Sequence, residues 1–338
     1  MSWAVKSIPI RVTRPESIVI RMKYMHPFIR NIRSPLTAEQ LRPLSRKCKT
    51  VQFSDPLLDA EHQKLAKLVR KYPSVLFRTL GHYKEECDLT FLRHYGDVKR
   101  IGIDVPEPRN IEALTELSPD LKEFQFGETK TKSISLSFLE RFSKLETLYL
   151  DGHKKDIEAI SKLGRVTDLT LRSVILADLS VLRPLKELLS LGIKLGGTTD
   201  LSLLPKIGKI RYLELWMIKG LTDLDPISDL RTLQFLFLQS LKNVETLPNF
   251  SKLSRLRRVH LEAMKGLNDL RPLLKAHALE QLIVYNMSQL SPDAFQSFAK
   301  HKSLREASVA LGSLRKNAEV AELLGLPKVD ETFTYDDD

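Results

Sequence analysis

Residues 204–238 read LPKIGKIRYLELWMIKGLTDLDPISDLRTLQFLFL. Apolar side chains fall at Leu204, Ile207, Ile210, Leu213 and Leu215, and again at Ile227, Leu230, Leu233, Leu236 and Leu238. Three steps of three are followed by one step of two. The final step is the strand period, and the earlier ones suit a short helical or extended turn. A unit of about this size cannot bury its own apolar side, so it must stack on copies of itself.

Copies extend in both directions. Upstream lie Leu139, Phe142, Leu145, Leu148 and Leu150, then Ile160, Leu163, Val166, Leu169 and Leu171, then Leu182, Leu185, Leu188, Leu191 and Ile193. Downstream are Phe250, Leu253, Leu256, Val259 and Leu261, then Leu273, Ala276, Leu279, Leu282 and Val284. The seven starts are 21, 22, 22, 23, 23 and 23 residues apart. Weaker copies flank them: Leu92, Tyr95, Val98, Ile101, Ile103; Ala66, Val69, Tyr72, Val75, Phe77; and stretches ending at Phe53, Phe126 and Val309. Atypical outer copies are what capping turns require.

These residues resemble the leucine-rich-repeat family. The stretches Asp223-Leu224-Asp225-Pro226-Ile227 and Asp269-Leu270-Arg271-Pro272-Leu273, with Asp178-Leu179-Ser180 and Asp200-Leu201-Ser202, are similar to its short subclass of about 22 residues, found in internalins and in a protein-phosphatase regulatory subunit. The resemblance implies an α/β solenoid: a horseshoe with a parallel concave sheet and short helical or irregular convex segments. Asp225 or Ser180 is expected to cap a convex turn, with Pro226 or Pro272 in its first position. One departure stands out. The family's usual Asn or Cys, three residues past the strand, is replaced by His153, Val174, Gly196, Ile218, Leu241, Met264 and Met287. The turn's main-chain groups must find other partners.

The expected organisation is a basic N-terminal cap over residues 1–45, a solenoid of about 11–12 turns over 46–312, and a C-terminal cap and acidic tail over 313–338, whose last residues Asp336-Asp337-Asp338 are expected to be solvated. Net charge is +11, and residues 1–50 carry eleven Lys and Arg against Glu16 and Glu39, which is nine of those charges. Alternation through Ile8, Ile10, Val12, Ile18, Ile20, Met22 and Tyr24 reads as a β-hairpin covering the first turn. The rival for this segment is an organelle transit peptide, which Pro9, Pro15 and the period of two oppose. A short closing helix is expected over 317–324, ended by Gly325 and Pro327. Two cysteines, Cys48 and Cys87, are too few for a disulfide framework and suit a reducing compartment. No apolar run approaches the ~20 residues of a membrane span, and a cytoplasmic location is expected.

Chemistry is hard to find. There is no glycine-rich phosphate loop, no G-x-S-x-G and no H-E-x-x-H. His82 and Cys87 lack the further ligands that a metal site needs. Neither an enzyme nor a cofactor is implied. The strand residues between core positions point into the inner curve instead. They supply a candidate partner-binding set: Tyr149, Arg172, Lys194, Tyr212, Glu214, Trp216, Phe235, Phe237, Arg258, His260, Ile283 and Tyr285. Trp216, Phe235, Phe237, Ile283 and the two tyrosines Tyr212 and Tyr285 are expected to form an exposed aromatic and apolar patch, rimmed by Glu214, Arg258, His260 and Glu262; the alternative is that a terminal tail covers it. Trp216 is placed to stack on Lys194. Clustered aromatics with a charged edge resemble binding hot spots. This surface carries Arg100, Arg172, Lys194 and Arg258 against Asp104, Glu123, Asp151, Asp168, Glu214, Glu262 and Glu306. A nucleic-acid groove is basic, so a protein or peptide partner is favoured, in an adaptor, regulatory-subunit or inhibitor (immunity-type) role. The alternative is a nucleic-acid or polyanion binder acting through the basic N-terminal segment.

Overall fold

Period-two apolar residues at the end of each repeat make strands, and the computed structural model, which describes residues 28–81, 86–330 and 332–336, shows one in every copy. The chain divides into two compact units. The first, Lys23–Ile175 with Val181–Glu187, holds β1 (Ile29–Ile32), β2 (Thr50–Phe53), α1 (Asp59–Val69), β3 (Leu76–Leu80), β4 (Cys87–Asp88), β5 (Arg100–Asp104), β6 (Pro108–Arg109), β7 (Glu123–Phe126), β8 (Thr147–Asp151) and β9 (Asp168–Arg172). Its main ladder runs β1-β2-β3-β5-β7-β8-β9, all parallel, with β4 and β6 as a separate short pair. The second unit includes Leu176–Ser180 and everything from Leu188 onward. It holds β10 (Ser190–Lys194), β11 (Tyr212–Trp216), β12 (Phe235–Gln239), β13 (Arg258–Glu262), β14 (Gln281–Tyr285), β15 (Glu306–Ala310) and α2 (Leu314–Leu324). Its six strands are again parallel and in sequence order.

Every apolar position of the seven full copies is buried. Stacking places like on like: Leu213 pairs with Leu236, Leu236 with Val259, and Val259 with Leu282. Each fully buried leucine is worth about 2 kcal/mol in transfer free energy. β1 was not legible as a repeat, because it carries a single buried residue, Ile32, within the basic segment. The expected hairpin at residues 7–24 lies outside the described residues.

The convex turns are single 3-10 turns such as Asp225–Asp229 and Arg271–Lys275, with Pro226 and Pro272 in the first turn, where a missing N–H costs nothing. Their caps differ from expectation. Asp225 and Ser180 donate their main-chain N–H to Asp223 (2.8 Å) and Asp178 (2.7 Å), respectively. The same two-residue reach recurs at Asp200 to Ser202 (2.8 Å), Asn249 to Ser251 (3.0 Å) and Asp269 to Arg271 (2.8 Å). An Asp or Asn side-chain oxygen two residues earlier closes an Asx turn without entering the helical stretch.

The missing Asn ladder is replaced by main chain. The residue after each of β10 to β14, namely Leu195 (φ 52°), Met217 (φ 50°), Ser240 (φ 54°), Ala263 (φ 53°) and Asn286 (φ 56°), turns left-handed. Its N–H then reaches the last carbonyl of the following strand: Leu195 to Trp216 (2.8 Å), Met217 to Gln239 (2.8 Å), Ser240 to Glu262 (2.9 Å), Ala263 to Tyr285 (2.9 Å) and Asn286 to Ala310 (2.8 Å). Ile218, Leu241, Met264 and Met287, at the family's Asn position, are thereby free to be apolar and are buried.

In the first unit, His62 on α1 lies in an aromatic nest. Its ring stacks on Phe91 (4.6 Å) and its Nδ1 meets the Tyr95 hydroxyl at 3.1 Å. α2 closes the far side of the second unit. It starts a turn earlier than expected, because Ser313 accepts from the Lys316 N–H (3.4 Å), and it ends at left-handed Gly325 (φ 59°).

Candidate partner-binding face

Strand register aligns the outward side chains of the second unit in three columns. Tyr212, Phe235, Arg258, Gln281 and Glu306 form the first. Glu214, Phe237, His260 and Ile283 form the central one, and Lys194, Trp216, Gln239, Glu262 and Tyr285 the third. Of the expected set, Tyr149 and Arg172 fall in the first unit. There Arg172 is ion-paired with Asp151, and the Tyr149 hydroxyl donates to Asp151 at 3.4 Å.

The patch is present but not open. Tyr212 and Phe235 are each 2% exposed, Trp216 5% and Phe237 9%. Residues following α2 turn back over the first column, and Phe333 and Tyr335 pack on Tyr212, Phe235 and Phe237. Phe333 stands edge-on to Phe235 at 5.3 Å and to Tyr335 at 4.9 Å. Of the expected solvated tail Asp336–Asp338, Asp336 is bound through its main chain, and the last two residues lie outside the described ones.

Arginines organise this contact. Arg258 donates to the carbonyls of Asp330 (2.8 Å) and Thr332 (2.7 Å) and to Gln281 Oε1 (2.7 Å). Its guanidinium lies against the rings of both Phe235 (5.3 Å) and Phe333 (4.8 Å). Burial lowers the Arg258 pKa to about 10, which still leaves it charged at neutral pH. Arg257 stacks over Phe333 at 5.1 Å, donates to the Thr334 carbonyl and meets the Asp336 carboxylate at 3.1 Å. Gln234, wholly buried just ahead of β12, bonds both main-chain groups of Asp336. Nearer α2, Ala307 N–H reaches the Pro327 carbonyl (2.9 Å), Val329 N–H the Ser308 hydroxyl (3.0 Å) and Asp330 N–H the Glu306 carboxylate (3.2 Å).

Sequence reasoning missed Gln234, Arg257, Phe333 and Tyr335. The first two stand just before their strands, outside the columns that were read. The signal for the others was the aromatic alternation Phe333-Thr334-Tyr335 ahead of an acidic run.

Lys194 does align with Trp216 across the strands, yet its ammonium goes to Glu214 Oε2 at 2.6 Å, with both side chains almost fully buried. A carboxylate outcompetes a ring face for a desolvated ammonium. Glu214 also accepts from the Tyr212 hydroxyl at 3.0 Å, so it belongs to the interior of the face and not to its rim. His260 stands edge-on between Phe237 (4.4 Å) and Tyr285 (5.5 Å) and is half-buried, as are Tyr285 and Glu262.

Among the described residues no group of three or more His, Cys, Asp or Glu side chains could hold a metal ion. Both cysteines are free and buried, and burial pushes the Cys87 thiol up to about 11, away from reactivity. No helix among the described residues is long and apolar enough to cross a membrane.

The parallel ladders, the one-strand-per-repeat spacing and the apolar columns define a leucine-rich-repeat solenoid. The fold is shared with a chain in the Toll–Spatzle complex of Drosophila, at 12% identity and a TM-score of 0.53, over 86% of this chain and 44% of that one. An internalin of Listeria monocytogenes aligns at 19% identity over 78% of this chain and 83% of its own, with a TM-score of 0.49. A leucine-rich-repeat protein of Leptospira interrogans aligns at 14% over 90% and 96%, with a TM-score of 0.42. No family model matches the sequence, and a search of curated proteins found no match.

Proposed function

We propose that the chain is a protein-recognition scaffold of the cytoplasm, in an adaptor, regulatory or inhibitor role, and that it binds a protein or peptide on the outward face of its second unit's sheet. One observation carries the reading: this face already grips an extended polypeptide, through two arginines, a buried glutamine and an aromatic cluster. Arginine and aromatic side chains that shed water around a ligand are the residues that concentrate binding energy. Glu214, Glu262 and Glu306 lie among the few basic side chains of this face, which therefore lacks the continuous basic track that a nucleic-acid backbone needs. The buried, unlinked thiols suit a reducing compartment.

Affinity capture from the native host, run in parallel with wild-type protein and with His260→Ala/Tyr285→Ala, tests this. Both substituted side chains are half-buried, so the fold is expected to survive, as circular dichroism would verify. Proteins retained by the wild type should bind the variant about tenfold or more weakly. Equal retention by the two would place the interface elsewhere.

A further inference from the structure

We propose that residues 330 and 332–336 occupy the seat of a partner segment of the same chemistry: an extended stretch with two aromatic side chains at alternate positions followed by a carboxylate. This rests on the sheet-face reading above and names the partner class for it.

The seat recognises main chain first. Arg258 takes the carbonyls of residues 330 and 332, Arg257 takes that of 334, and Gln234 takes both main-chain groups of 336. The alternate spacing 330, 332, 334, 336 is that of a stretched chain, whose every second carbonyl faces the same way. Contacts of this kind are blind to side-chain identity and would serve any segment laid along the same track.

Selectivity then comes from the intervening residues. Phe333 fills the slot between Phe235 and the two guanidinium planes, and Tyr335 packs beside it. Asp336 meets Arg257 at 3.1 Å. An aromatic, a spacer, a second aromatic and an acid are thus each matched by a feature of the face.

Two observations mark the segment as exchangeable. Its described residues form neither helix nor strand, and both aromatic side chains remain partly exposed. A purely structural seal would be expected to bury them. The resident segment competes at the high effective concentration of a tether, so a partner must match it and exceed it, or act where it is already released.

The test uses the full chain. Phe333→Ala/Tyr335→Ala empties the slot, and a fluorescein-labelled peptide with the sequence of residues 328–336 is titrated by fluorescence anisotropy. The variant is expected to bind the peptide at least about tenfold more tightly than the wild type does. The same peptide with both aromatics changed to Ala should lose about tenfold or more. If the double variant fails to fold by circular dichroism, Asp336→Pro replaces it as the acceptor, since it removes the N–H that Gln234 accepts and the carboxylate that meets Arg257 while leaving both aromatic side chains in place. A folded acceptor that ignores the peptide overturns the proposal. So does a wild-type dimer that falls apart on Phe333→Ala/Tyr335→Ala, which would make a second copy the occupant. Absence of peptide binding alongside capture that still depends on His260 and Tyr285 would sink only the partner chemistry and leave the scaffold reading standing.

Discussion

Gln234 and Asp336, 102 residues apart in the chain, bond to one another twice: the Gln234 amide donates to the Asp336 carbonyl at 2.9 Å, and the Asp336 N–H donates to Gln234 Oε1 at 2.8 Å. The glutamine side chain imitates a neighbouring strand and offers a main-chain-like pair of groups where the sheet face has none. Replacing it with leucine keeps the volume and removes both bonds. Gln234→Leu is expected to cost about 1–3 kcal/mol. Cleavage after Phe333 and Tyr335 by chymotrypsin should become faster, and an unchanged digestion rate would show that the pair does not hold the segment.

The Lys194–Glu214 pair is buried on both sides. Removing one charge strands the other. Lys194→Met is expected to destabilise the protein by about 3–5 kcal/mol, while Lys194→Met with Glu214→Leu should recover most of that loss. Urea unfolding of the two variants checks the sign. A double variant as unstable as the single would mean that packing, and not the orphaned carboxylate, sets the cost.

Stability should fall with acid through His62. Burial lowers its pKa from 6.5 to about 4. The unfolded chain takes up a proton near the ordinary value while the folded chain refuses it. The contribution is therefore complete above pH 6.5 and is lost as pH falls toward 4, where the folded ring also protonates. Up to about 3 kcal/mol is at stake. His62→Gln, which can still meet Tyr95, should flatten the decline over that window relative to wild type in urea titrations at several pH values. Parallel curves would remove His62 from the account.

Met217 is 44% exposed and sits at φ 50°. A side chain in the left-handed region is strained, and glycine is not. Met217→Gly should leave the fold intact and gain about 0.5–1 kcal/mol, whereas Met217→Val should lose stability. Thermal melts of both variants would decide this, and a destabilised glycine variant would show that the methionine packs usefully.

Much of this architecture could be read from residue spacing. The spacing places Leu213 and Leu215 inward, and Tyr212, Glu214 and Trp216 outward, because a two-residue period leaves no third option once the repeats align. What escaped was whatever the repeat does not encode. Asp223 takes over the cap from Asp225 because side-chain reach decides between two equally suitable acids. The left-handed closure at Leu195 or Met217 is a main-chain solution with no residue signature, so the absent Asn ladder appeared as a gap. The covering of Phe235 by Phe333 joins parts of the chain about a hundred residues apart. Periodicity is silent about such a contact, and only the alternation of aromatics before the acidic run hinted at it.

The pairing of Ala307 with Pro327 has a consequence for assembly. A stack of parallel strands ends in a row of unsatisfied amides and carbonyls, and such a row invites another molecule to add on. Here the Ala307 N–H is taken by Pro327 at 2.9 Å, and proline has no N–H to pass the pattern along. α2 stands beside it, with Lys316 Nζ on the carbonyls of Ser288 and Leu290 at 2.9 Å each. The growth direction is stopped by a residue that can accept but not propagate. A chain cut after α2 would expose that row and invite end-to-end filaments.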